Sequence, residues 1–282
     1  MDWRLMMLIA CIGSLSISPL GSKPNVRALD TKSSTQGSAK QVQQLAELIA
    51  VKVLSKDFLG SGILIHKKGS VYQVLTNAHV LRSGNPPYQI QTPDGLIYAA
   101  DLSKMSVGVA RRRHRSVPFY FKGNDLAVLQ FRSPKISYTV ASLGHASTLS
   151  VGNEVFAAGF PFDSQGIQDT GFVFRRGQVS LVLDKALEGG YRIGYTNDIV
   201  KGMSGGPLLN CAGQLVAING RHAEPLWGEP YIYQDGTQPE PPLLKQMSKY
   251  SWGIPIEEFM QMVSPSFTNN YSDTDIQAEV RR

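Results

Sequence analysis

Gly202-Met203-Ser204-Gly205-Gly206-Pro207-Leu208 is the stretch on which the reading of this chain turns. Glycines on both sides of a serine let backbone N–H groups approach one another and point at a single spot, the arrangement that receives a developing oxyanion. Serine by itself is a poor nucleophile at neutral pH. Acyl transfer therefore needs an imidazole to take its proton and a carboxylate to hold that imidazole in one tautomer and orientation.

Working outward, two upstream segments supply those groups. Asn124-Asp125-Leu126-Ala127-Val128-Leu129 places an aspartate at the entrance to a hydrophobic strand, and Leu75-Thr76-Asn77-Ala78-His79-Val80 reads as a strand whose closing turn presents a histidine. Taken singly, each has a bland explanation: a structural histidine after a strand, and a strand with a polar cap. Together they form a base, its orienter and a nucleophile in His79, Asp125 and Ser204, with the Gly202 and Ser204 amides as the oxyanion hole.

The surrounding pattern is strand-rich. Short apolar or alternating runs at 49–54, 62–66, 71–76, 89–91, 97–102, 127–131, 154–159, 172–183, 191–195, 208–209 and 214–218 are separated by Gly, Pro, Asn and Asp turns. About a dozen such strands point to an all-β sandwich or barrel pair. A capping-box pair, Ser38 and Gln41, precedes Val42, Leu45, Ala46 and Ile49 at helical spacing, so a short helix opens the domain. Pro255 ahead of Glu257 and Glu258, with Ile256, Phe259, Met260 and Val263 on one face, predicts a closing helix.

Composition narrows the classes further. The chain has 282 residues, 42% of them hydrophobic and 18% charged, with two cysteines, Cys11 and Cys211. This excludes disordered, collagen-like and disulfide-scaffold proteins. The net charge of +6 is spread thinly. Its one dense run, Arg111-Arg112-Arg113-His114-Arg115, lacks the aromatic interleaving of an RNA-binding module, so no nucleic acid is expected as a partner. His66, His145 and His222 have no metal-ligand spacing with one another or with Cys211, so neither metal nor cofactor is expected.

Residues 1–21 contain the run Leu5 to Ile17, apolar except for Ser14 and Ser16, with the proportions of a secretory leader. Export to the periplasm or outside the cell follows, with membrane contact only through an uncleaved leader. Residues 22–38 read as a flexible tether, 39–263 as the folded domain and 264–282 as a polar tail too short for an independent module.

At this point the sequence resembles the chymotrypsin-like (trypsin-fold) serine peptidases, in their bacterial trypsin-like and HtrA/Deg-type branch without a PDZ domain. Gly60-Ser61-Gly62, Thr76-Asn77-Ala78-His79-Val80, Asp125-Leu126-Ala127-Val128-Leu129 and Gly202-Met203-Ser204-Gly205-Gly206-Pro207 carry the resemblance, which runs from about Ile49 to Val263. It implies two perpendicular six-stranded β-barrels, one over about 49–140 and one over about 150–255. His79 and Asp125 would come from the first and Ser204 from the second, and the substrate would be a peptide or protein.

Several features depart from the family or leave alternatives open. Met203 stands where animal digestive members carry an aspartate, so activation by a newly cut N-terminal amine is not expected. Asp198, six residues before Ser204, is placed to select Lys or Arg at the base of a pocket, or belongs to a turn that bonds its own backbone. Ser251-Trp252-Gly253 looks like the strand lining the specificity pocket, where substrate would add as an extra strand; an edge strand of the barrel would look the same. The long excursion 220–250, with His222, Trp227, Tyr231 and Tyr233, reads as a cover on the cleft or a disordered insert. An intact triad favours an endopeptidase over a catalytically silent peptide-binding protein, and an esterase side activity remains compatible with the same residues.

Overall fold

The fold was taken from a computed structural model, which describes residues 31–103, 123–163, 169–223 and 231–261. The leader, the basic run 111–115, Trp227 and the tail after the closing helix lie outside the described residues.

Twelve strands close into two antiparallel six-stranded barrels. The first contains β1 (Ala50–Leu54), β2 (Phe58–Lys68), β3 (Val71–Thr76), β4 (Tyr88–Gln91), β5 (Ile97–Leu102) and β6 (Ala127–Arg132), closed in the order β1-β2-β3-β6-β5-β4. The second contains β7 (Glu154–Gly159), β8 (Val173–Val182), β9 (Ile193–Tyr195), β10 (Pro207–Asn210), β11 (Leu215–Arg221) and β12 (Ser251–Pro255), in the order β10-β11-β12-β9-β8-β7. Closure removes the exposed sheet edges that short β-branched strands would otherwise present to other chains.

Each barrel has its own apolar filling. Val51, Val53, Leu64, Tyr72, Val74, Ile90, Leu129 and Phe131 fill the first, and Val155, Val179, Ile193, Tyr195, Leu208, Val216 and Met203 fill the second. Met203 is fully buried there, so apolar packing occupies the position at which digestive members use an ion pair. A third cluster runs between the barrels and takes in both flanking helices through Val42, Ala46, Ile49, Ile256 and Phe259.

The opening helix, α1 (Thr31–Ile49), begins earlier than the Ser38 start read from the capping box, so part of the expected tether is helical. Its inward face is Val42, Ala46 and Ile49, whereas Leu45 stays 39% exposed over Gly213. The one-turn helix α2 (Ala78–Arg82) follows β3 directly. In the excursion after β11 the structure forms a helix that the sequence pattern did not suggest, α3 (Pro241–Met247), with proline in its first turn. The closing helix, α4 (Ile256–Met260), buries Ile256 and Phe259 as expected.

Candidate active site

Register brings the first two candidate residues together. Strands β3 and β6 pair from Val71↔Arg132 to Thr76↔Ala127, so the residues just past the end of β3 lie beside those just before β6. His79 sits in the first turn of α2, and that turn's amides lack intrahelical partners. Asp125 supplies them: its carbonyl accepts the Ala78 N–H at 3.2 Å and its Oδ1 accepts the His79 N–H at 2.8 Å. Its other carboxylate oxygen, Oδ2, lies 2.5 Å from His79 Nδ1. One carboxylate thereby holds both the backbone and the ring of His79, leaving Nε2 as the ring nitrogen directed away from it.

Asp125 is 4% exposed. Burial pushes its carboxyl up, but the His79 ring, the Tyr191 hydroxyl and the His79 amide bond the charged form. Together they bring it below the ordinary aspartate value.

Ser204 occupies the turn that leads into β10. Gly202 in that turn has φ +98°, and a Cβ there would lie 2.5 Å from the Phe160 carbonyl, so only glycine fits. Among the described residues, no hydrogen bond takes up the Gly202 or Ser204 amide. Both N–H groups are therefore available to an oxyanion. The Ser204 hydroxyl donates to the Gly220 carbonyl at 3.1 Å, and no hydrogen bond joins it to His79. Such contacts commonly tighten only when substrate is bound.

Ser61, within Gly60-Ser61-Gly62, stitches the barrels together at this turn. Its N–H donates to the Ser204 carbonyl at 2.9 Å and its hydroxyl to the Gly202 carbonyl at 2.8 Å, while the same oxygen accepts the Phe160 N–H at 2.9 Å. Asn219 does the equivalent work within the second barrel. Fully buried, it donates to the Ala158 and Pro207 carbonyls at 3.1 Å and accepts the Tyr195 hydroxyl at 2.9 Å. A polar residue inside a strand gives no sign in sequence that its side chain will be satisfied across the sheet.

Two cavities, of about 400 and 380 Å³, open beside His79 and Ser204. Asp57, Phe58, Leu59 and Phe162 line the larger; Arg82, Tyr191, Gly220, Arg221 and Tyr231 line the smaller. A cavity of about 710 Å³ lies away from these residues, beside α1 and Phe172, and contains none of the candidate groups.

Two expectations about substrate contacts meet a different geometry, and a third lies partly outside the described residues. Asp198 is exposed and lines neither cavity, whereas its neighbour Asn197 is buried and donates to the Val155 and Arg175 carbonyls. Ser251, Trp252 and Gly253 are buried in β12, which pairs with β11 on one side and β9 on the other, so no substrate strand can add there. The segment beside Ser204 is Gly220 and Arg221, at the end of β11. The described part of the 220–250 excursion neither covers Ser204 nor forms a loose insert. It pairs with the β8–β9 connection through Glu188 N–H to Ile232 O at 2.8 Å and Gln234 N–H to Ala186 O at 2.9 Å. Among its described residues, Gly220, Arg221, His222 and Tyr231 line the smaller cavity.

Tyr191 is the group that the sequence reading missed. It lies just before β9 in the second barrel, and its hydroxyl donates to Asp125 Oδ2 at 2.6 Å. A Cβ on Gly220 would lie 2.5 Å from that hydroxyl, so glycine at 220 leaves room for the ring. Cys211 is exposed, and partial burial with the nearby Glu154 carboxylate pushes its thiol up, away from nucleophilic use. Among the described residues, no helix is long and apolar enough to cross a membrane.

Comparison with known proteins agrees with the two-barrel fold. A trypsin-like peptidase domain model matches residues 60–218. The magnetosome formation protease MamE of Magnetospirillum gryphiswaldense is 26% identical over 167 residues, 58% of this chain and 19% of that protein. The "Probable periplasmic serine endoprotease DegP-like" of Brucella suis biovar 1 is 30% identical over 162 residues, 57% of this chain and 27% of its own. Human serine protease HTRA3 is 30% identical over 169 residues, 57% of this chain and 32% of its own. The chain thus spans between 19% and 32% of the length of these relatives. Among solved structures, the HtrA-type protease AlgW with a decapeptide superposes with a TM-score of 0.53 at 21% identity, covering 79% of this chain and 65% of that one.

Proposed function

The chain belongs to the trypsin-like peptidase family, and from that premise we propose that it is a serine endopeptidase working through an acyl-enzyme. Ser204 attacks the peptide carbonyl, His79 takes the hydroxyl proton and returns it to the leaving amine, and Asp125 keeps the imidazole oriented and balances its charge. The carbonyl oxygen becomes an oxyanion held by the Gly202 and Ser204 amides; loss of one such donor costs roughly a hundredfold or more in rate. Water then repeats the sequence on the acyl group. The observation that carries this reading is the two-point hold of Asp125 on His79, through the ring at 2.5 Å and the backbone N–H at 2.8 Å.

Before the proton can pass, the Ser204 hydroxyl must leave the Gly220 carbonyl and swing toward His79. That resting contact also favours a second reading, a peptide-binding protein in which the serine never engages its base. Peptides as the bound class are supported by the peptide complexes of the structurally similar AlgW. Export is supported by the apolar N-terminal run and by the periplasmic assignment in the name of the DegP-like relative.

Labelling with a fluorophosphonate separates the two readings. The peptidase is labelled stoichiometrically, loses the label in Ser204→Ala and turns over a peptide library. Folded wild-type chain that takes no label belongs to the binding reading.

A further inference from the structure

The smaller cavity beside Ser204 has an uneven charge. Arg82 at the end of α2, Lys201 in the turn before Gly202 and Arg221 at the end of β11 all line it. Among its described walls the only carboxylate is Asp125, whose oxygens are engaged by His79 and Tyr191. The cavity on the other side of Ser204 differs, with Asp57 beside the rings of Phe58 and Phe162.

Arg221 is held in place. Its guanidinium carbon lies 4.4 Å from the Tyr191 ring centroid, and its Nη2 donates to the Glu188 carbonyl at 2.9 Å. Stacking on a ring face fixes the plane of a guanidinium, so less freedom is lost when a carboxylate docks against it. The Lys201 ammonium lies 5.1 Å from the Phe162 ring centroid, at the boundary of the two cavities. An open recess with cations from three elements attracts anions and repels cations. Asp198, placed by its spacing to select Lys or Arg, is exposed and lines neither cavity, and Asp57 stands in the other cavity.

We propose that this cavity is a carboxylate subsite, so that the enzyme cleaves peptides carrying Asp or Glu within two residues of the scissile bond. The proposal rests on the peptidase reading and names its substrate class. An acidic side chain and a free C-terminal carboxylate offer the same chemistry to Arg221 and Lys201, and the test separates them.

The full chain is assayed on matched quenched peptides that carry Glu, Gln or Lys at each of the two positions on either side of the bond, with amidated and free C-termini. At one or more of these positions, kcat/KM for Glu exceeds that for Gln by about tenfold or more, the scale of a charge-assisted hydrogen bond. Lys peptides are the poorest, and the advantage shrinks as salt rises. In Lys201→Gln and Arg221→Gln the Glu-to-Gln ratio falls toward one. A preference that follows only the free C-terminus assigns the cavity to chain ends and overturns the side-chain proposal. Labelled, active enzyme with equal rates for Glu and Gln, or with preference for Lys, overturns it outright. Chain that takes no fluorophosphonate label refutes the peptidase reading instead. The subsite is then judged by titrating Ser204→Ala with the acetylated, amidated Glu and Gln peptides, where equal affinity refutes it.

Discussion

Tyr191 and Asp125 come from different barrels, and the hydroxyl of the one donates to the carboxylate of the other at 2.6 Å. The contact is buried, and the backbone beside it is paired as well, with the Asp125 N–H on the Gly189 carbonyl at 2.8 Å. On the far side of Asn124, the Gln234 amide donates to Asn124 Oδ1 at 3.0 Å and the Asn124 amide to Glu258 Oε2 at 2.7 Å. The second barrel, the late excursion and the closing helix therefore all fix the carboxylate that orients His79. The barrel that carries Ser204 also helps to set the position of the proposed base, His79.

Tyr191→Phe keeps the ring and removes only this donor. The rate of fluorophosphonate labelling at Ser204 falls by about tenfold, the scale expected for one hydrogen bond to a charged group. Because labelling needs no peptide in the cavity, an unchanged rate would show that Tyr191 does not act through Asp125.

Ser61→Ala leaves the Gly202 carbonyl and the Phe160 amide without the partner that joins them in the wild type. Unsatisfied buried groups cost about 1–3 kcal/mol, which corresponds to a thermal midpoint lower by roughly 2–10 °C in a domain of this size. Calorimetry checks the stability. Activity should decline further than the midpoint alone would explain, since Ser61 holds the carbonyl of Gly202, the residue whose N–H is proposed as half of the oxyanion hole; equal activity per folded molecule would refute that role.

Asp198→Ala alters neither the residue preference at the cleaved bond nor kcat/KM by more than about twofold, the usual range for an exposed substitution. A preference for Lys or Arg that disappears in this variant would return Asp198 to the pocket.

Asp125 titrates below its ordinary value in the folded chain, so its ionised form contributes stability that is fully present above the unfolded pKa of about 3.9. That contribution is lost as pH falls through the lower folded value. Urea midpoints of wild type and Asp125→Asn, compared from pH 7 down to pH 3, therefore differ by a constant amount above about pH 4 and converge below it. A gap that widens on acidification would mean that the carboxyl is held neutral in the fold.

The strand pattern, the flanking helices and the three candidate residues were legible in sequence because their signals are local. His79 ends a strand, Asp125 starts one, and Ser204 sits among glycines that only a tight turn requires. Strand β12 was also visible as Ser251-Trp252-Gly253, but its place in the sheet was not, since pairing on both sides is a property of β9 and β11 as much as of β12. Asp198 shows the same limit: its spacing to Ser204 was readable, while its exposure beside the buried Asn197 was not.

Local pattern alone specifies the class, two barrels' worth of short strands, and the chemistry-bearing residues whose type and neighbours already implied a role. Which groups steady them, and what surrounds them, emerges on folding. Ser61 on Gly202, Tyr191 on Asp125 and Arg221 on Tyr191 are contacts between segments separated by 30 to 141 positions. Periodicity and turn chemistry report on a residue's immediate neighbours, whereas the position of a hydroxyl or a guanidinium across a barrel interface depends on how all the strands of both barrels close together.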